Sequence, residues 1–221
     1  MEEYELNGHK LVFYEETHTY LVDNVKVPSV TGILHETAFK DKYKGIDEKT
    51  LEKAAIKGTN MHKAIEIYEK EGKELELITY DKYGNEESNS MHELKGYKTL
   101  KRLYGFNVEH SEIPIIIEID WKVVCAGKLD QIINLPIEDN KFIKCVNDLK
   151  RTATLDLEYL AYQETIYAIG YEQCYGEKID ELRGTHLRDN KKQFKKVKRI
   201  DDIVLKLLKD YVKEHNFEKF L

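Results

Sequence analysis

The stretch from Glu112 to Leu187 changes hydrophobic period twice, and the order of those changes leaves few architectures open. Three runs, Glu112 to Ile119, Trp121 to Asp130 with its extension through Ile132 and Ile133, and Phe142 to Leu149, are dense in β-branched residues. They are joined by turns that suit antiparallel pairing. Leu155 to Tyr175 then carries Leu157, Leu160, Ala161, Ala168 and Ile169 on a helix of about five turns. Glu181 to Leu187 reads as a fourth strand. A strand that follows a helix in this way can return parallel to a central strand by a right-handed crossover. The expected class is α/β, with a central mixed sheet flanked by helices.

The flanking segments add to this core. Lys10 to Val27 alternates apolar and polar side chains with Asp23-Asn24 as a turn, which predicts a small antiparallel β meander appended within residues 1–35. Ser29 can cap a short helix, because its hydroxyl accepts from first-turn amides. Asp47 is expected to start a helix ending at Lys57 with Gly58 as its stop, and Thr59 or Asn60 to start another. Glu74 to Asn89 reads as a loop with room for a short hairpin. Met91, Leu94, Tyr97, Leu100 and Tyr104 space an amphipathic helix that Gly105 ends. Ile200 to Asn216 reads as a terminal amphipathic helix.

A chain of 221 residues is of the size that one core supports, so a single domain over 1–221 is expected. With 41% hydrophobic and 34% charged residues it has the balance of a soluble globular protein, and no apolar run approaches the roughly 20 residues that span a bilayer. Met1-Glu2-Glu3-Tyr4-Glu5 is acidic where a secretory signal is basic and then apolar, so a cytoplasmic location is expected and no membrane partner. Cys125, Cys145 and Cys174 are too few for a disulfide framework and read as buried thiols. There is no Gly-rich loop ending in Lys-Ser/Thr, hence no ATP site of that kind.

Chemistry concentrates in Ala126-Gly127-Lys128-Leu129-Asp130, in Val146-Asn147-Asp148-Leu149-Lys150, and in Gln163 with Tyr167. Residues i and i+2 of a strand share a face, so Asp148 and Lys150 emerge side by side while Leu149 turns into the core. Two carboxylates from neighbouring strands suit a divalent cation, which can acidify a water and neutralise charge growing on a phosphate. Lys150 can position that water or stabilise the phosphate. Gln163 and Tyr167 are four apart on one helix face, as are His62 and Glu66 upstream. Taken singly, each has an ordinary reading: strand-ending acids, a solvated lysine, polar members of amphipathic helices.

Gly-x-x-Asp, Asp-x-Lys and Gln-x-x-x-Tyr, in this order and with an upstream His, resemble the motif set of the PD-(D/E)XK nucleases. The nearest branch is that of RecB-type nuclease domains and phage exonucleases related to lambda exonuclease. The resemblance covers Val27 to Gly184, and Gly58-Thr59-Asn60-Met61-His62 matches the first family motif. It implies a restriction-endonuclease-like fold whose catalytic core is 112–188. It implies Mg2+, or Mn2+ given an imidazole ligand, held by His62, Asp130, Asp148 and the backbone carbonyl of Leu149. It makes Lys150 the residue that activates the water, and turns Gln163 and Tyr167 toward the cleft, onto the lysine strand or the nucleic acid. Glu66 and Glu112 are further candidate carboxylates. The chain departs from the family at Arg151, which separates Lys150 from Thr152 where Thr more often follows the lysine directly. Some relatives hold an iron–sulfur cluster with four cysteines, a set absent here.

The activity implied is that of a metal-dependent deoxyribonuclease, an exonuclease of phage or prophage recombination type. DNA is its partner, and an annealing protein, a helicase or further copies of the chain are open additions. The net charge of −6 opposes generic affinity for a polyanion, so the phosphate track must be local. Lys191, Lys192, Lys195 and Lys196 form the densest candidate, within a basic stretch from Arg183 to Arg199 whose acid is Asp189. The alternative is a catalytically inactive DNA-binding or inhibitory module on the same fold, against which no motif position is substituted. A restriction-type endonuclease would need a sequence-reading module, and neither a helix-turn-helix nor a zinc module is visible.

Overall fold

A computed structural model describes residues 1–138, 141–188 and 191–215. The chain opens on four short strands, β1 (Glu2–Leu6), β2 (His9–Tyr14), β3 (Thr19–Val22) and β4 (Val25–Val27), paired antiparallel in sequence order. Asp23-Asn24 makes the expected turn, both residues with positive φ. The meander begins earlier than the alternation from Lys10 suggested. Asn7-Gly8, at φ 52 and 82, joins β1 to β2, because an Asn-Gly pair tolerates the two left-handed residues of a tight hairpin.

Next come α1 (Val30–Glu36), α2 (Glu48–Glu71), the hairpin β5 (Ile78–Tyr80) and β6 (Glu86–Asn89), and α3 (Ser90–Tyr104). Ser29 caps α1, its Oγ accepting from the Gly32 amide at 3.0 Å. The expected break at Gly58 does not occur, and α2 runs unbroken through it. A glycine ends a helix by turning to positive φ, as Gly72 and Gly105 do at φ 68 and 67. One interior glycine costs only about 1 kcal/mol relative to alanine, which the surrounding helix formers outweigh.

Then follow β7 (Asn107–Ile119), β8 (Lys122–Pro136), β9 (Phe142–Lys150), α4 (Leu157–Tyr175), β10 (Glu181–Arg188), β11 (Lys191–Val197) and α5 (Asp201–Glu214). The end expected for α5, Asn216, lies outside the described residues. The five strands form one mixed sheet in the order β11-β10-β9-β8-β7. Only β9 and β10 pair in parallel, across the α4 crossover. The protein is therefore α/β, a central mixed sheet between helices with an antiparallel sheet at its N-terminus.

Two cores flank the sheet. On one face α1, α4 and α5 pack through Val30, Leu160, Ile166 and Leu208 against Ile115, Val146 and Leu182. On the other, α2 and α3 pack Met61, Ile65, Leu94 and Tyr97 against Cys145, Leu149, Leu187 and Phe194. The meander is joined to the sheet and not merely tethered to it. Leu11, Phe13 and Tyr20 share a buried cluster with Ile116 and Ala126, and the Ala126 amide donates to the Pro28 carbonyl at 3.1 Å. The three cysteines are free thiols, Cys125 and Cys145 buried and Cys174 partly so. No helix among the described residues is long and apolar enough to cross a membrane.

Candidate active site

The site begins where two strands part. The β8–β9 ladder runs from Pro136↔Phe142 to Gln131↔Asn147 and stops, leaving Asp130 and Asp148 just past the last pair. Beyond that point β9 pairs only with β10, through Gly184↔Asp148, Thr185↔Leu149 and His186↔Lys150. The Asp130 side chain takes the place of the missing ladder bond, its Oδ2 accepting from the Leu149 amide at 2.6 Å. A buried polar chain secures the last pair. Thr185 donates to Asn147 Oδ1 at 2.8 Å, Asn147 to Gln131 Oε1 at 2.8 Å, and Gln131 to the Tyr97 hydroxyl at 3.0 Å. Unpartnered, these buried groups would cost about 1–3 kcal/mol each, so the chain favours this register over a slipped one.

Asp148 and Lys150 lie side by side as i and i+2, on the α4 face with Val146, while Leu149 is buried against α2 and α3. Lys150 Nζ sits 2.8 and 2.7 Å from the two oxygens of Asp148. Burial works against the ammonium, but Asp148 and Asp130 outweigh it and hold Lys150 above its ordinary value.

His62 reaches the gap from α2. Its Nε2 lies 3.0 Å from the Leu149 carbonyl, and since a carbonyl only accepts, the proton is on Nε2. Nδ1 is then left with a lone pair, 3.5 Å from Asp130 Oδ1 and 4.0 Å from Glu112 Oε1. Burial pushes His62 below its usual value, toward the neutral imidazole. One ligand atom each of His62, Glu112 and Asp130 lies within 4.8 Å of the other two. The donor set fits a divalent cation that accepts carboxylate oxygen and one imidazole nitrogen, Mg2+ or Mn2+. Desolvation and then repulsion from Asp130 push Glu112 up to about 7. Desolvation and the Asp148 charge raise Asp130 as well. Carboxylates crowded in this way resist common ionisation until a cation joins them.

The grouping differs from the one implied by resemblance. Asp148 is turned onto Lys150, the Leu149 carbonyl receives the His62 proton, and Glu112 stands in the ligand cluster. Glu66, only 19% exposed, is engaged by Lys70 at 2.7 Å and Lys63 at 3.3 Å, and its charge adds to the repulsion on Glu112. Glu112 carries a signal that only the backbone reveals. It has φ 55 inside β7, flanked by the pairs Ser111↔Gln131 and Ile113↔Leu129, which places it opposite Asp130. A left-handed non-glycine residue in a strand is strained by about 1 kcal/mol, and such outliers gather at functional sites.

Gln163 and Tyr167 sit four apart on α4, both buried. Tyr167 packs across β8 instead of opening to a cleft: a Cβ on Gly127 would lie 2.9 Å from its Cε1. Gly127 thus leaves the space that seats the tyrosine ring. Gln163 Oε1 is buried with no partner among the described residues. Arg151, next after Lys150, is a tether: its Nε donates to Glu93 of α3 at 2.7 Å and its Nη2 to Ser88 of β6 at 3.1 Å.

Sequence reasoning missed Glu164. It is fully buried, neither oxygen has a hydrogen-bond partner among the described residues, and desolvation followed by Asp148 pushes its carboxyl well above the usual range. Its position beside Gln163, at a core-facing point of α4, was the available clue.

The basic stretch is divided by the strand it forms. In the β10–β11 register Lys195 pairs with Gly184, and Lys191 with Arg188, so both lie on the face of Asp148 and Lys150. Lys195 stands two strands from Asp148, about 9.5 Å across the sheet. Lys192 and Lys196 share the α3 face with Phe194, and Lys196 pairs with Glu181 at 2.7 Å. Arg183 and Arg199 are engaged by Glu181 and by Glu172 with Asp201. Asp189 lies outside the described residues.

No known family model and no curated protein matches the chain. Among solved structures, the crystal structure of SSO0001 is similar with a TM-score of 0.45 and 14% identity, over 86% of this chain and 76% of that one.

Proposed function

We propose that the protein is a metal-dependent nuclease of the PD-(D/E)XK kind, acting on DNA, and that its setting is phage or prophage recombination in the cytoplasm with exonuclease activity. The reading rests on one observation. His62, Asp130, Asp148 and Lys150, from a helix and two strands spread over the chain, meet at the single point where the β8–β9 ladder stops.

His62 Nδ1, Glu112 and Asp130 would hold a divalent cation, which when bound would supply Lewis-acid polarisation of a phosphate and a more acidic water. The chain's own groups do the rest. His62 keeps Nδ1 unprotonated by donating Nε2–H to Leu149. Asp130 spans the opened ladder and so ties the site to the backbone of β9. Asp148 holds Lys150 as an ammonium pointing into the site, where it orients water and offsets charge growing on the phosphate. Tyr167, seated by Gly127, lies one turn of α4 from Gln163, which lines the cavity beside the lysine. Lys191 and Lys195 offer cations on the same face for the flanking backbone.

The test uses end-labelled linear and circular DNA, single- and double-stranded, with magnesium or with chelator. The parent is expected to cleave linear DNA from an end only with magnesium. Asp130→Asn keeps an oxygen for the Leu149 amide and is expected to abolish cleavage without unfolding. Cleavage that survives both chelator and Asp130→Asn refutes the proposal, as does a parent inert on every substrate.

A further inference from the structure

Beside Lys150, between α1, the segment after it and the start of α4, lies a cavity of about 300 Å³. That is the low end for ligand sites, room for one nucleotide-sized group. Its walls are aromatic. Tyr159 is buried, the His35 ring stands at 5.9 Å from it, and Tyr43 meets His35 edge-on at 5.2 Å while remaining 42% exposed. Gln163 completes the lining, and its buried Oε1 has no partner among the described residues.

The charges say what kind of group fits. Lys42 is paired with Asp156 at 2.5 Å and lies over the Tyr159 ring at 3.9 Å, and Lys150 is paired with Asp148. Both cations are therefore paired within the chain, so the body of the cavity, away from Lys150, is walled by rings and not by free charge. A flat, uncharged group carrying N–H donors suits it, with a phosphate at the Lys150 end.

We infer that this cavity seats one nucleobase of the nucleic acid, stacked on Tyr43 with the His35 ring edge-on to it, and donating an N–H to Gln163 Oε1. The four DNA bases all present such a donor or a stackable face, so the pocket grips a nucleotide without reading sequence. This deepens the nuclease reading and rests on it only for the source of the base.

The experiment titrates the full chain, in chelator, with dAMP, dTMP and deoxyribose 5-phosphate by calorimetry or protein NMR. Both nucleotides are expected to bind more tightly than the sugar phosphate. Tyr43→Ala is expected to weaken them about 5- to 150-fold, the equivalent of one lost base–aromatic stack, and to leave the sugar phosphate unchanged. Tyr43→Phe restores the parent affinity, and the thermal midpoint of each variant reports that the fold is intact. The inference is overturned if nucleotides bind no better than sugar phosphate, if Tyr43→Ala binds them like the parent, or if it loses all three ligands equally. Magnesium-dependent cleavage by the parent is scored separately. A parent that cleaves DNA but ignores the base loses only the pocket, and one that binds bases through Tyr43 but never cleaves loses only the nuclease reading.

Discussion

Replacing Glu112 by Gln removes one charge from the crowded cluster while keeping its shape, and the consequence for stability follows from the structure. Desolvation, and after it Asp130, raise this carboxyl from 4.5 to about 7. The folded chain thus holds the proton more tightly than the unfolded chain. Its stabilising effect is complete below the unfolded value and is lost as pH rises through about 7. A shift of about 2.5 units at 1.36 kcal/mol each amounts to about 3 kcal/mol, and the side chain is 27% exposed, which keeps solvent screening moderate. Between about pH 5 and about pH 8 the metal-free parent should lose about 2–3 kcal/mol that the Glu112→Gln variant keeps. Urea unfolding in chelator at both pH values measures this. The quantity that decides is the difference between the two proteins, because Asp130 and Glu164 are also raised and titrate in both. Magnesium should reverse the order: it displaces the Glu112 proton, so it stabilises the parent more at the higher pH and the variant much less. Parent and variant with the same pH dependence to within about 0.5 kcal/mol would refute the reasoning, since Glu112 would then be an ordinary solvated carboxylate.

Other perturbations read other parts of the site. Lys150→Ala should keep metal binding and slow cleavage by on the order of 100-fold or more, the loss of one preorganised charge, with single-turnover rates as the check. Lys191→Gln with Lys195→Gln should flatten the slope of log affinity against log salt by about 1.4–1.8, whereas Lys192→Gln with Lys196→Gln, on the opposite face, should leave it near the parent's. Gly127→Ala forces a Cβ to 2.9 Å from the Tyr167 ring and should destabilise by about 1–3 kcal/mol in urea melts, while an alanine at Gly58, where a Cβ meets nothing within 4 Å, should not.

The elements legible in the sequence were those set by local periodicity. The three long strands, the helix with Gln163 and Tyr167, and the shared face of Asp148 and Lys150 follow from periods of 2 and 3.6, which burial on the sheet enforces. Glu112 was legible only as a further candidate carboxylate beside Glu66, because what singles it out is a positive φ that no neighbouring glycine announces. Gly58 misled for the converse reason, since a glycine's freedom becomes a helix end only where the chain has cause to turn. Tyr167 was read as cleft-facing, but which side of a helix a tyrosine serves depends on the partner strand, and here Gly127 leaves the ring a place inside.

The division of the lysines shows how a composition signal becomes geometry. A run of Lys191, Lys192, Lys195 and Lys196 looks like one patch until it is a strand, and then pleating sends alternate residues to opposite faces. Cross-strand register assigns the faces: Gly184 ties Lys195 to Asp148, and Thr185 ties Phe194 to Leu149 in the opposite core. The β9–β10 part of that register is held by the same buried chain of Tyr97, Gln131, Asn147 and Thr185 that secures the last rung of the β8–β9 ladder. A slip of one residue between β9 and β10 would turn Lys195 and Asp148 to opposite faces. The face that Asp148 presents and the gap that Asp130 spans are therefore both consequences of packing by the uncharged Tyr97, Gln131, Asn147 and Thr185.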